Sequence, residues 1–267
     1  MVMVMVMAMA DGWGIWGWFA ALVAVLVVRV FWVVQSTGRP VSLQPGVKRR
    51  PMRTLVVLGS GTWRKKILKF RVVDGFLGVV FGLLTLCSVG SGGHTAEMMS
   101  LVEALNLQWY APRHYIAGAT DKMSLPRAEG VEARLLKDAG DADGSVQRSE
   151  YSQIFRSREV GQSYLTSMFT TLWAFVHAVS QVLRIQPDVI LCNGPGTCLP
   201  ICVAGFLMKV VGWKRVVVVY VESIARVKKL SLTGLLLYKL RLADQFFVQW
   251  KDLKVKYPRS NYVGRLM

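Results

Sequence analysis

The chain has 267 residues, 53% of them hydrophobic, enough for a membrane anchor and one domain with a core of its own. Its formal charge of +17, from 33 Lys and Arg against 16 Asp and Glu, points to an anionic partner such as a lipid surface or a phosphorylated ligand. No RNA- or DNA-reading module is present, which argues against nucleic acid, and the four cysteines (Cys87, Cys192, Cys198, Cys202) have no thiol or histidine partner at metal spacing, which argues against zinc.

Residues 1–7 alternate Met and Val and carry no assigned function. Residues 13–34 are apolar except for Arg29, long enough to span a bilayer core as one helix. Trp13, Trp16 and Trp18 at its start and Trp32 near its end suit the two interfaces. No small-residue cleavage site follows, so the segment reads as a retained anchor. Asp11 is the only charge before it. Residues 35–53 form a basic juxtamembrane linker with Arg39, Lys48, Arg49, Arg50 and Arg53, and this asymmetry places the C-terminal side in the cytoplasm.

Residues 54–267 read as an α/β domain. TLVVL (54–58) is a buried strand followed by a Gly-Ser-Gly turn, and residues 86–89 repeat that pattern before Gly90-Ser91-Gly92-Gly93. Residues 94–105 have helical periodicity, with Met98, Leu101, Val102 and Leu105 on one face. Residues 114–117 form a strand. Residues 126–150, charged and rich in Gly and Asp, read as a surface loop. A long helix over 163–183 leads to the buried strand DVILC (188–192) and the turn Asn193-Gly194-Pro195-Gly196. A helix over 197–211, the strand RVVVVYV (215–221), a helix over 232–242 and a last strand over 245–249 complete the alternation. Such alternation predicts a Rossmann-like, doubly wound parallel sheet with ligands at the carboxyl ends of its strands.

Three clusters fall on that edge. In GSGGHTAE (90–97), Gly92, Gly93 and Thr95 are candidates to approach a phosphate at a helix N-terminus, and His94 is a candidate to hold a diphosphate or take a proton from a hydroxyl. The bland alternative is a glycine turn that merely caps a helix. Asn193, Gly194 and Gly196 form a second turn, whose alternative is a plain connection with Thr197 as N-cap. Glu222 and Arg226 can bracket a sugar and its phosphate, or form a local ion pair.

The stretches GSGGHTAEM, PRHYIA, RSREVGQS, PDVILCNGPGTCLPICV, VYVESIARVKKLSLTG and ADQFFVQWKDLKVKYPRSNYVGRL carry a close resemblance to a known family. This is the membrane-anchor subunit of the eukaryotic UDP-N-acetylglucosamine transferase that adds the second GlcNAc to dolichyl-diphosphate-GlcNAc. The resemblance implies one half of a GT-B-like glycosyltransferase, similar to the bacterial enzyme that makes the peptidoglycan lipid-linked disaccharide. A separate soluble catalytic subunit would supply most of the UDP-GlcNAc site. The anchor subunit would recruit it to the cytoplasmic face of the endoplasmic reticulum, with the N-terminus lumenal. The preceding GlcNAc-phosphate transferase would be a further neighbour. Gly92, Gly93 and His94 would face the acceptor diphosphate or reaction centre, and Glu222, a catalytic candidate alongside His94, and Arg226 would sit near the acceptor sugar. Tyr257, Tyr262, Val263 and Leu266 in the tail would dock the partner. The reaction class normally needs no cofactor, and the sequence shows no metal ligand set. A self-sufficient transferase is the alternative reading, opposed by the missing second domain. A mere tether is opposed by the glycine loops.

The chain departs from the family at one place. Removing residues 62–92 would give the continuous LVVLGSGGHTAEM that the family shows. The interruption carries Arg64, Lys65, Lys66, Lys69 and Arg71 and reads as a retained intron or a gene-model error. If it is real, residues 86–89 replace 55–58 in the sheet or the glycine loop is displaced.

Overall fold

The computed structural model describes residues 12–37, 54–58, 86–89, 93–105, 110, 112–138, 149–155, 164–194 and 196–266. The chain starts with helix α1 (Gly12–Ser36) and strands β1 (Thr54–Leu58) and β2 (Leu86–Val89). Then follow α2 (Gly93–Glu103), β3 (Arg113–Gly118), α3 (Ser124–Asp138), β4 (Glu150–Ile154), α4 (Tyr164–Ile185) and β5 (Val189–Asn193). It ends with α5 (Cys198–Val211), β6 (Val217–Val221), α6 (Leu232–Lys239), β7 (Gln245–Phe247) and α7 (Lys251–Lys256).

Every strand pairing is parallel. Strand β5 (VILCN) is buried at all five positions, as a central parallel strand covered on both faces must be. Its side chains alternate: Val189 and Leu191 enter one core, Ile190 and Cys192 the other. The first core is packed by α2 and α3 through Met98, Val102 and Ala128. The second is packed by α4, α5 and α6 through Val182, Ile201 and Leu237. The result is three layers, helices on each face of one sheet.

One place in the sheet is claimed twice. Tyr115 of β3 pairs with both Val56 of β1 and Cys87 of β2, and Leu191 of β5 pairs with the same two residues. A strand has two edges, and β3 gives one to β4 while β5 gives one to β6. A single position between β3 and β5 therefore has two alternative occupants in the same register. The offset between them equals the length of segment 62–92. Counting that position once, the order is β4, β3, β1 or β2, β5, β6, β7. This is the doubly wound Rossmann order, and its reversal point lies between the shared position and β5.

Helix α1 contains Gly17–Ser36, with a mean hydropathy of 2.3. Among the described residues it is the one helix long and apolar enough to cross a membrane. Trp18, Phe19, Leu22, Val25 and Val28 are exposed on it, as a lipid-facing helix requires. Its last turns are different. Val33 is buried at 3% exposure, Val30 and Val34 pack against the second core, and Arg29 lies against Gly212 at the C-terminal end of α5. Gly212 has φ 78, and its N–H bonds Met208 and Lys209 carbonyls, an ordinary left-handed helix stop. The expected linker thus starts later than residue 35, because the helix runs on to Ser36; positions 38–53 lie outside the described residues.

Two further expectations are corrected. Residues 126–150 are not one surface loop: α3 and β4 occupy most of the span, and 139–148 lie outside the described residues. Leu125, Ala128, Val131, Glu132 and Leu135 share one helical face despite the charged composition. Asp121 caps the start, accepting from Met123 N and Ser124 N at 3.1 Å each and from Ser124 Oγ at 2.6 Å. Glu132 faces inward because Arg113 is waiting for it, with Nε at 2.6 Å and Nη2 at 2.5 Å from its two oxygens. Thr197 precedes α5 but does not cap it with its side chain; its backbone is helical and its hydroxyl has no partner among the described residues.

Candidate functional site

Sheets of this order hold ligands in a crevice at the carboxyl edge where the strand order reverses; here the N-terminus of α2 and the turn after β5 stand at that edge. His94 is the second residue of α2. Asn193 is the last of β5, fully buried. The two meet: His94 Nδ1 is 2.8 Å from Asn193 Oδ1. An amide oxygen only accepts, so Nδ1 donates in this arrangement. Nε2 has no hydrogen-bond partner among the described residues. Gly194 lies against the ring. A Cβ there would overlap the imidazole, and its φ of 73 is itself a glycine conformation. A Cβ at Gly196 would meet open space, so the turn is uncovered on that side.

Glu97, one helical turn after His94, joins this pair to a third strand end. Its Oε2 lies 3.3 Å from His94 Nδ1, and its Oε1 accepts from Ser223 Oγ at 3.0 Å. Ser223 directly follows Glu222 at the end of β6. A connected set of polar side chains therefore spans α2, β5 and β6. Glu97 and Ser223 lie inside the sequence motifs, but the local pattern gives them no role. The i, i+3 spacing from His94 was the available signal for Glu97; nothing local pointed to Ser223.

Glu222 stands in a different place from the one expected of a catalytic carboxylate. It is fully buried, and its oxygens are occupied: Oε1 accepts from Ser223 N at 3.1 Å, Oε2 from Ser231 N at 2.9 Å and Ser231 Oγ at 3.1 Å. It pins both ends of the basic loop 223–231. Ser231 also caps α6, accepting from Gly234 N, and Gly234 lacks a Cβ that would strike Glu222. Burial pushes the Glu222 carboxyl above the usual carboxylate range. The bonds from Ser231 and Ser223 oppose this, and the charge of Arg226 opposes it least. Arg226 itself is exposed and forms no ion pair with Glu222.

The remaining candidates divide. Gly93 opens α2 at the crevice; Gly92 lies outside the described residues. Thr95 turns inward, almost fully buried, with its hydroxyl 2.8 Å from Ser124 Oγ, so it faces α3 rather than a ligand. The tail folds onto the domain. Leu266 is 5% exposed and its N–H donates to Gln249 Oε1 at 2.7 Å; Tyr257 and Tyr262 pack on one core and Val263 on the other. A cavity of about 230 Å³ lies between Thr37 at the end of α1, Tyr238, Arg241 and Arg259, and none of its lining residues belongs to the histidine network.

A profile for the family described as "Oligosaccharide biosynthesis protein Alg14 like" matches residues 85–266. The chain belongs to the Alg14 family. Among Alg14 relatives, the rat protein named UDP-N-acetylglucosamine transferase subunit ALG14 is 47% identical over 188 residues, covering 70% of this chain and 83% of its own length. The human subunit is 45% identical over 187 residues, covering 69% and 83%. The Schizosaccharomyces pombe subunit is 46% identical over 178 residues, covering 66% and 79%. Among solved structures, Acinetobacter baumannii MurG is similar with a TM-score of 0.43 and 20% identity, over 66% of this chain and 43% of that one.

Proposed function

We propose that this chain is the membrane-anchor and acceptor-side subunit of a UDP-N-acetylglucosamine transferase, forming the second GlcNAc linkage on a dolichyl-diphosphate acceptor. The relatives' shared name supports the subunit reading. The observation that carries the acceptor-side role is the His94–Asn193 pair at the reversal point, with Nε2 unpartnered among the described residues and the N-termini of α2 and α5 beside it. Helix N-termini favour the diphosphate. His94 Nε2 takes the proton of the acceptor hydroxyl as that oxygen bonds the anomeric carbon of GlcNAc and UDP leaves. Asn193, Gly194 and Gly196 shape the second loop, and Glu222 holds the Arg226 loop in place without touching substrate. A soluble catalytic subunit supplies the donor half, which a single Rossmann-like domain lacks. It docks on the outer side of the tail that Tyr257, Tyr262, Val263 and Leu266 fasten to the domain.

The site is the cytoplasmic face of the endoplasmic reticulum, with α1 crossing once and the N-terminus lumenal; the basic residues after α1 support that direction. Residues 62–92 are a retained intron or a gene-model error that interrupts the strand and its glycine loop, supported by the two strands that share one register. A transcript reading continuously through this segment, with matching peptides, would remove that part of the proposal.

The deciding experiment is GlcNAc transfer in microsomes by the chain with and without its soluble partner. Transfer is expected only from the pair, and His94→Ala is expected to lower it by about a hundredfold or more. Transfer by the isolated chain would overturn the subunit reading, and an unimpaired His94→Ala complex would overturn the role of the histidine.

A further inference from the structure

Glu97 has the geometry of more than a surface partner. Its side chain is 13% exposed, against 29% for His94. Its two oxygens are shared between two elements: one faces the ring on its own helix, the other takes the Ser223 hydroxyl at the end of β6. An ordinary i, i+3 pair on a solvated helix leaves the second oxygen to water. Here both are committed inside the protein.

The distances rank the two acceptors of His94. Asn193 at 2.8 Å makes the direct bond to Nδ1, and Glu97 at 3.3 Å makes a longer one. Asn193 makes one polar contact to the ring, which Gly194 also approaches closely. Glu97 adds a second contact, and Ser223 keeps Glu97 from rotating away. We propose that Glu97 is a positioning residue for the transfer reaction: it locks His94 with Nδ1 protonated and Nε2 turned to the crevice, braced through Ser223 by the loop that carries Arg226, Lys228 and Lys229. This rests on the reading of His94 as the proton acceptor. It adds a residue, one step back from the substrate, on which the ring's orientation depends.

The test uses the complete membrane-anchored chain with its soluble partner, and a short-chain polyprenyl-diphosphate GlcNAc as acceptor. Glu97→Leu removes both hydrogen bonds; Glu97→Gln keeps one acceptor for the ring and one group for Ser223. Glu97→Leu is expected to lower kcat about a hundredfold with acceptor KM within about threefold, while Glu97→Gln stays within about fivefold of the wild type. Nitrogen-15 histidine spectra are expected to show the Nδ1–H tautomer of His94 in the wild type and a mixture in Glu97→Leu. The assignment falls if Glu97→Leu keeps its kcat, if the loss appears in KM or in partner copurification instead, or if Glu97→Gln is as poor as Glu97→Leu, which would assign the effect to charge alone. A wild-type complex that transfers no GlcNAc would sink the transferase reading. The histidine spectra would then still report whether Glu97 holds the ring.

Discussion

Two buried carboxylates show how this domain treats charge in a place built to hold and in a place built to work. Glu132 on α3 meets a cation: Arg113, 2% exposed, grips both its oxygens, and the Tyr115 hydroxyl donates to it as well. Burial works against the Arg113 charge, but the Glu132 bond, Tyr115 and the Glu132 charge together outweigh it, and the Arg113 pKa rises above its ordinary value. Glu222 at the end of β6 meets no cation. Amides and a hydroxyl of one loop satisfy it, and burial leaves its pKa raised. The first arrangement ties helix to strand beneath the surface. The second makes the order of a basic loop depend on a single side chain next to the crevice.

The comparison is sharpened by breaking each side in turn. Arg113→Met leaves Glu132 buried and unpaired, and is expected to cost about 3–5 kcal/mol of stability in denaturant unfolding of the chain; adding Glu132→Leu recovers most of that loss. The activity of those molecules that remain folded stays near wild type, because Arg113 is not part of the crevice network. Glu222→Ala removes the acceptor of two amides and two hydroxyls, those of Ser231 and Tyr220, and is expected to cost about 1–3 kcal/mol. Its transfer rate falls further, by roughly tenfold or more, since a displaced loop misplaces reacting groups. Equal ratios of stability loss to activity loss in the two variants would dissolve the distinction. The smallest effect is with pH. A carboxyl whose folded pKa is raised holds its proton where the unfolded chain has released it, so its stabilising contribution is full below its ordinary value of 4.5 and is lost as pH rises through the folded value. The melting temperature of the wild type relative to Glu222→Gln is therefore expected to decline with rising pH across that window. A flat difference would show that Glu222 is not the group involved.

Some of this architecture was legible in the sequence for a definite reason. Val189 to Cys192 and Val216 to Val221 are unbroken apolar runs, which a central parallel strand requires, and both sit where the pattern put them. Helix α3 was hidden because its buried face includes Glu132, whose partner lies on a strand that the local pattern does not see. His94 and the Asn193 turn were visible as glycine-flanked ends of strands, but their contact is long-range, and so is the Glu97–Ser223 bond. Thr95 looked like its neighbours in the loop; only helical phase turns it away from the crevice, toward Ser124. Glu222 reads as a ligand-edge residue because it ends a strand, and the return of Ser231 over it is a matter of tertiary structure.

The seat of α1 on the domain carries a mechanical consequence. Helix α5 has 14 residues, hence a length of about 21 Å. Arg29 of the anchor rests at one end of it, and Thr197 stands beside the crevice at the other. With Val33 buried in the same core, the anchor acts as a strut rather than a leash. The gap between its foot and the crevice is then set by the length of a rigid helix, and whatever enters the crevice meets a fixed station instead of a swinging one.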